Sequence, residues 1–447
     1  TPLVEFYIPD RYQEGYGISH QGLKVAADLG CSLVIALDCG IRAIEQAKTA
    51  RALNLDLIIC DHHLPDEILP EALAILDPKQ KDCGYPFKEL SGCGVGFKLL
   101  QGFCQQNTIP QEKLFRYLDL VAVSIASDIV PIVGENRILA FYGLKKLNQS
   151  PGPGLASLIE VAGVKPPLSI SDIVFYLGPR INAAGRLTHA KNSVKVLIGS
   201  DQEQLQRQSL ELNQANIARK NFDQETTQEA LEMIQGDAQL MGAKSTVLFK
   251  ENWHKGVIGI VASRCTEHFY RPTIILTHSN GKATGSARSV EGFDIHQAIS
   301  QCADLLEQFG GHTHAAGLSL SLDNLEAFKA KFESVVQDSI SEELLKPKIL
   351  VDRVVPFHFL TFKSLNILQQ MAPFGPGNLQ PLFQSDGVLV KGEPRILGEK
   401  HLKLQLYQPE QPQQILDAIG FGLAEKFEKW QPGQALSLLY HLEENNY

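Results

Sequence analysis

Residues 32–63 read SLVIALDCGIRAIEQAKTARALNLDLIICDHH, and their pattern decides the fold. The apolar run Ser32–Ala36 ends at Leu37-Asp38, and Cys39-Gly40 turns the chain into a helix-like stretch from Ile41 to Leu53. A second apolar run, Leu55–Cys60, ends at Asp61. A third, Ala72–Leu76, ends at Asp77-Pro78. Short apolar runs separated by helices predict right-handed βαβ units and a parallel sheet. Ligands of such sheets gather at the carboxyl ends of the strands, which is where Asp38, Asp61 and Asp77 fall.

Asp61-His62-His63 is the strongest chemical signal. Carboxylate and imidazole are good ligands for Mn²⁺, Mg²⁺ or Zn²⁺, although a polar turn after a strand has the same composition. Asp38 lies 23 residues upstream, one βα repeat away. Neighbouring strands are about 4.8 Å apart, so the two strand ends can share a metal. Asp128 follows the apolar segment Val123-Ser-Ile-Ala-Ser. A buried Asp needs a partner or a cation, and the alternative is a helix-end cap.

Outward from this core, Ser150-Pro-Gly-Pro-Gly154 is a turn-rich break. A helical region containing Asn182-Ala-Ala-Gly-Arg186 follows. Ser200-Asp-Gln-Glu203 has the form of a capping box. A helix with few apolar positions then runs to about Met233, long enough to span about 50 Å. A helix polar nearly all round is expected to bridge domains through solvent. Strands are expected at Ser245–Phe249, Thr273–Leu276, Ala283–Ala287 and Ala315–Leu320, and helices at Val257–Phe269 and Asp294–Phe309. Beyond residue 348, short strands and turns, including the alternating His401–Leu406, predict a small β-barrel of OB type. The fold expected is α/β: a parallel-sheet domain (1–160), a helical region with a long connecting helix (161–239), a smaller α/β domain (240–342) and an OB-like barrel (343–447).

Composition narrows the class. The 447 residues are 44% hydrophobic and 20% charged, and net charge is −9. This balance argues against an extended basic nucleic-acid surface and fits an enzyme that grips a few phosphates. Leu118–Val133, the longest apolar candidate, is interrupted by Asp119 and Asp128 and is too short to span a membrane. The eight cysteines form no C-x-x-C pair, so we expect reduced thiols and no zinc site. The chain opens Thr-Pro-Leu-Val-Glu with neither an initiator Met nor a basic leader, and we expect sequence upstream of it.

Asp38-x-Gly40, Asp61-His62-His63 and Ser127-Asp128 resemble three of the four metal-binding motifs of the DHH phosphoesterases. Gly310-Gly-His312-Thr-His-Ala-Ala-Gly317 resembles the hallmark of the associated DHHA1 domain. Tyr7-Ile-Pro-Asp-Arg11, Asn182–Arg186, Trp253–Arg264, Gly285-Ser-Ala-Arg-Ser289 and Pro373–Asn378 narrow the resemblance to the RecJ type of single-strand DNA exonuclease, in that family's order.

The resemblance implies two divalent ions, Mn²⁺ or Mg²⁺. Asp38 would bridge them, His62 and Asp128 would ligate one, and Asp61 would support His62 by a hydrogen bond. His63 would face the scissile phosphate. Arg288, Ser286 and Arg11 would form a terminal-phosphate pocket. Arg186 would hold backbone phosphate, and Gly310, Gly311 and His312 would lie near the cleaved bond. It further implies a cytoplasmic monomer acting on single-stranded DNA from the 5′ end, with a single-strand-binding protein or a RecQ-type helicase as partner. One departure matters: the family's Asp-x-Asp-Gly motif, expected before Tyr7, has no counterpart in residues 1–10. The ligands of the second ion are then expected in sequence absent here or on another chain.

Two other readings stand beside this one. A DHH/DHHA1 phosphodiesterase for short oligonucleotides or cyclic dinucleotides would not need the C-terminal barrel. A single-strand-binding homologue with an impaired site would explain the missing motif but not the retained Asp38, His62 and Asp128. A dinucleotide-binding oxidoreductase gains no support, because no G-x-G-x-x-G follows the first strand.

Overall fold

The computed structural model describes residues 4–10, 13–187, 189–427 and 430–444, so Arg11 lies outside the described residues. The first lobe runs α1 (His20–Asp28), β1 (Leu33–Leu37), α2 (Ile44–Ala52), β2 (Asp56–Cys60) and β3 (Ala74–Leu76). The strands are parallel in the order β1-β2-β3, with Leu37 opposite Cys60 and Cys60 opposite Leu76. They therefore end level, and residues 38, 61 and 77 emerge side by side. The ladder continues one step further. Asp38 N–H donates to the Cys60 carbonyl at 2.8 Å, and Asp61 N–H to the Leu76 carbonyl at 3.0 Å.

One face of the sheet buries Ala36, Leu57 and Ile59 against Leu23 of α1 and Ala47 and Ala50 of α2. Cys60 belongs to the second core, built with α3 (Gly92–Gln106), α4 (Glu112–Phe115), α5 (Leu118–Ser127) and α6 (Gly134–Gln149). The apolar run from Leu118 is thus a core helix, buried on most of its surface. Helix α6 crosses it so closely that a Cβ on Gly143 would lie 2.3 Å from the Leu118 carbonyl oxygen. Among the described residues no helix is long and apolar enough to cross a membrane.

The chain continues through α7 (Pro153–Ala162), α8 (Ile170–Asp172), a π-helical turn (Ile173–Leu177), α9 (Gly178–Leu187) and α10 (Lys191–Ile198). It then enters the 34-residue helix α11 (Gln202–Gln235). Two expectations change here. The N-cap is Asp201, whose carboxylate accepts the Gln204 N–H at 2.8 Å, rather than Ser200. Asp caps a helix as well as Ser does, so the start moves by one residue. Helix α11 also does not run through solvent. Leu205, Ser209, Leu212, Asn216, Arg219, Asp223, Thr226, Ala230 and Ile234 are buried at three- and four-residue intervals, a continuous seam. Its polar middle is satisfied from both sides. Arg180 of α9 donates to Asn213 at 3.0 Å, and Arg264 of the second lobe to Asp223 at 2.8 Å.

After α12 (Ala238–Gly242), the second lobe comprises β4 (Thr246–Phe249), α13 (Ile258–Phe269), β5 (Thr273–Ser279), β6 (Lys282–Arg288), α14 (Ile295–Ser300), β7 (Gln308–His312), β8 (Ala315–Leu320) and α15 (Leu325–Ser339). The sheet order is β4-β5-β6-β8-β7, with only the β4–β5 pair parallel. The helix expected from Asp294 to Phe309 stops at Ser300, and the chain re-enters the sheet as edge strand β7. Gly311 explains that pairing: a Cβ there would lie 2.3 Å from the Ala315 carbonyl oxygen.

The last unit holds β9 (Arg353–Val354), α16 (Phe362–Gln369), β10 (Phe383–Val390), β11 (Arg395–Leu397), β12 (His401–Gln408), β13 (Gln411–Gly420) and β14 (Leu436–Tyr440), its strands joined in one six-stranded sheet. The expected alternation in β12 is real: Leu402, Leu404 and Leu406 point into its core. The turn before β10 docks on the first lobe. Ile132 N–H donates to the Pro376 carbonyl at 2.6 Å, and Gly375 and Gly377 pack against Ile132 and Pro131–Val133.

Candidate metal centre and phosphate pocket

Asp38 leaves β1 with a backbone φ of 62°, a left-handed conformation that Asp tolerates better than most residues. The turn continues through Gly40, φ 114°, where a Cβ would meet Ile18 at 2.8 Å and Ile59 at 3.2 Å. These two residues explain the Asp-x-Gly spacing: the first aims a carboxylate back over the strand ends, and the second lets the chain pass the core. Helix α3 approaches from the other side. Its N-cap Ser91 accepts the Gly94 N–H, and Gly92 lies directly against Asp38. A Cβ on Gly92 would be 2.1 Å from Asp38 Oδ1.

His62 follows β2 and is almost fully buried. Its Nε2 lies 3.1 Å from Asp38 Oδ1 and 3.3 Å from Asp128 Oδ2. Asp38 Oδ1 and both ring nitrogens of His62 are buried, yet none has a hydrogen-bond partner of acceptable geometry. Buried polar atoms without partners are costly and call for an explanation. Cis donors on an octahedral ion with bonds of about 2.1 Å lie about 3 Å apart. The Asp38–His62 and His62–Asp128 spacings each fit neighbouring donors on a hard divalent cation, and the carboxylate–imidazole donor set suits Mn²⁺ or Mg²⁺. Asp38, His62 and His63 also present ligand atoms within 4.8 Å of one another.

Burial alone would depress the His62 imidazole, but the Asp38 and Asp128 carboxylates outweigh it and raise its pKa. Burial raises the Asp128 carboxyl, with Asp38 adding to the rise and His62 opposing it. Asp128 sits at the C-cap of α5 and keeps about a third of its side chain exposed. It is thus less buried than its apolar surroundings in sequence imply.

Asp61 does a different job from the one expected. Rather than holding the His62 ring, it accepts from His63 Nδ1 at 2.6 Å, from the Ile41 N–H at 2.9 Å and from the His62 N–H at 2.7 Å. Burial pushes this carboxyl up, yet the His63 and backbone donors prevail and hold it at about 2. Beyond the end of β2 the chain turns so that residue 63, not 62, comes back beside residue 61. Asp61 therefore fixes the His63 ring with its Nδ1 engaged and Nε2 free to face a substrate. Asp77, at the third strand end, accepts the Lys79 N–H at 2.8 Å, and its other oxygen is buried without a partner. Burial raises its pKa to about 6.

The second lobe supplies basic groups. Arg288 donates to Ser286 Oγ at 2.9 Å, and burial lowers its pKa. The first turn of α13 lies over this pair, and a Cβ on Gly259 would sit 3.1 Å from both Ser286 Oγ and Arg288 Nη2. No side chain caps α13. Arg186 stands at the end of α9 and donates to the Gly256 carbonyl at 2.9 Å, tying the helical region to the loop before α13. Gly310 and Gly311 are exposed within β7, whose last residue is His312. Burial lowers the His312 imidazole, and the charges of Arg42 and His63 in the first lobe act in the same direction.

The structure thus brings Asp38, His62, His63 and Asp128 together, pairs Ser286 with Arg288, and sets Arg186 between the lobes. Sequence reasoning missed Gly92, whose requirement appears only when α3 meets β1, and Lys79 and Arg42, which carry no motif.

The chain matches the families described as "DHH family, N-terminal domain" over residues 1–125, "DHHA1 domain" over 242–338 and "RecJ OB domain" over 351–447. It is 36% identical to the single-stranded-DNA-specific exonuclease RecJ of Bacillus subtilis, covering 99% of this chain and 56% of the relative. It is 32% identical to the protein of the same name from Escherichia coli, over 99% of this chain and 80% of the relative. The crystal structure of RecJ from Thermus thermophilus in complex with Mn²⁺ superposes with a TM-score of 0.81 at 27% identity, covering 96% of this chain and 61% of that one. The same protein has also been solved with Mg²⁺.

Proposed function

Because the chain belongs to the RecJ family of single-stranded-DNA-specific exonucleases, we propose that it hydrolyses single-stranded DNA from the 5′ end to mononucleotides, with Mn²⁺ or Mg²⁺ as cofactor. One observation carries this reading: Nε2 of the buried His62 lies 3.1 Å from Asp38 Oδ1 and 3.3 Å from Asp128 Oδ2, two carboxylates brought to one imidazole at the strand ends. Asp38, His62 and Asp128 would hold a divalent ion, which when bound supplies Lewis-acid polarisation of the phosphate and lowers the pKa of water.

The remaining steps belong to the chain. Ser286, Arg288 and the open first turn of α13 take the terminal phosphate, the planar guanidinium matching its oxygens; the family motif alone adds Arg11, which lies outside the described residues. Arg186 holds the next stretch of backbone. His63, its ring fixed by Asp61, faces the scissile phosphate or leaving oxygen. His312 and the exposed backbone of Gly310-Gly311 close the cleft from the other lobe. The OB-like unit, divided from the second lobe near residue 342, tracks the strand.

A second ion needs donors beyond these. Strand β1 pairs only with β2 among the described residues and leaves Leu33, Ile35 and Leu37 exposed. That edge is where the family's Asp-x-Asp carboxylates would approach, from the same polypeptide or another. A role in DNA repair and recombination, a cytoplasmic location, a monomeric state and a single-strand-binding or RecQ-type helicase partner follow from the family alone.

The test is Mn²⁺-dependent degradation of a long 5′-labelled strand beside a dinucleotide. Release of labelled mononucleotide from the long strand supports the reading, whereas cleavage of the dinucleotide alone would assign the chain to the small-substrate phosphodiesterases.

A further inference from the structure

The loop between β4 and α13 contains a histidine that the reading above leaves unused. His254 stacks on Phe222 of α11, with ring centroids 5.4 Å apart and planes 19° from parallel. Its Nδ1 accepts the Gly256 N–H at 3.0 Å. The same Gly256 accepts Arg186 Nη1 at its carbonyl, 2.9 Å away. Three residues on, Gly259 lies against Ser286 and Arg288. The peptide groups of one glycine are therefore read from two sides, by the His254 imidazole and by the Arg186 guanidinium.

The loop has little freedom to do otherwise. A Cβ on Gly256 would meet the Arg186 carbonyl oxygen at 2.7 Å and the His254 ring at 3.0 Å. Trp253 Nε1 and Lys250 Nζ both donate to Glu229 of α11, at 2.7 and 2.8 Å. The loop is thus clamped to α11 at Glu229 and Phe222, and its far end is Gly256-Val257, which leads directly into the first turn of α13. That end is held by the Val257 N–H to the His254 carbonyl at 3.0 Å, by Arg186 at the Gly256 carbonyl, and by the His254 Nδ1–Gly256 N–H bond, which is the one made by a side chain of the loop itself.

We infer that His254 is a positioning residue of the terminal-phosphate pocket. By accepting the Gly256 N–H it sets the first turn of α13 over Ser286 and Arg288, so that the pocket keeps its geometry. The inference rests on the proposal that Ser286 and Arg288 take a terminal phosphate. Burial lowers the His254 pKa, which favours the neutral ring.

The experiment compares KM and kcat of the native full-length chain, His254→Phe, His254→Asn and Arg288→Ala on one oligonucleotide bearing a 5′-phosphate or a 5′-hydroxyl. Phe keeps the stacked ring but removes the acceptor. The Asn side-chain oxygen can replace Nδ1 as acceptor for the Gly256 N–H. Loss of one net hydrogen bond predicts about a fivefold rise in KM for the phosphorylated strand in the Phe variant, with kcat and the hydroxyl strand little changed and the Asn variant near native. An unchanged KM ratio in the Phe variant overturns the inference, as does an Asn variant as impaired as Phe, or an equal loss on both substrates, which would mark a merely structural ring. If Arg288→Ala abolishes the preference for phosphate while His254→Phe does not, the pocket stands and this inference falls. If Arg288→Ala also leaves the preference intact, the pocket itself is wrong.

Discussion

Gly92→Ala should separate metal binding from folding. The added methyl would lie 2.1 Å from Asp38 Oδ1 and 2.6 Å from Asp38 Cβ. An ordinary contact is about 3.5 Å, so the carboxylate, its Cβ or the start of α3 must give way by more than about 1 Å. Because Cβ is involved as well as Oδ1, rotating the side chain cannot relieve the overlap. Overpacking costs about 1–3 kcal/mol, but Ala gains up to about 1 kcal/mol over Gly in a helix, so net destabilisation should stay below about 2 kcal/mol. A misplacement of about 1 Å in a reactive geometry can cost about 100-fold in rate. Calorimetric titration of Mn²⁺, urea unfolding and single-strand degradation would be measured on native and Gly92→Ala chains. The expected outcome is a cooperative fold with Mn²⁺ affinity and cleavage each reduced by one to two orders of magnitude, about 10–100-fold. Native affinity and rate in a folded Gly92→Ala chain would refute the placement of Asp38 as a ligand.

Asp128→Ala should abolish cleavage, a loss of about 1,000-fold or more as expected for a metal-site carboxylate, while thermal unfolding shifts little, because its side chain is partly exposed at a helix end; parallel loss of structure by circular dichroism would contradict this. The Asp61 carboxyl, held at about 2 in the fold against about 3.9 in the unfolded chain, contributes about 2–3 kcal/mol to the metal-free protein, fully present above about pH 4 and lost as pH falls toward 2. Asp61→Asn should therefore be clearly less stable than native at pH 7, with the gap narrowing by pH 3. A gap independent of pH would show that the charge is not what stabilises. Binding of single-stranded DNA should weaken as salt rises, with a slope set by the phosphates neutralised, and Arg186→Ala should flatten that slope; an unchanged slope would remove Arg186 from the backbone path.

The strand ends were legible because apolar runs of four to six residues, each closed by Asp, admit few arrangements. Register then brings Asp38, Asp61 and Asp77 level. The partner of Asp61 was not legible, since whether His62 or His63 turns back toward it depends on side-chain direction rather than on composition. Helix α11 hid its buried seam because Ser209, Asn216, Arg219, Asp223 and Thr226 occupy core positions. Its polar middle is bonded by Arg180 and Arg264, far away in sequence. The helix expected over Asp294–Phe309 overran into the start of β7 because the pairing of that strand with β8 is set by Gly311, a contact the local sequence does not reveal. In each case the unread part is a tertiary contact overriding a local preference.

The most direct measurement is an anomalous-difference map from crystals grown with Mn²⁺. It should contain a peak bonded to the carboxylates of residues 38 and 128 and to the Nε2 atom of residue 62. Manganese bound elsewhere, with those three side chains unligated, would contradict the account at its root.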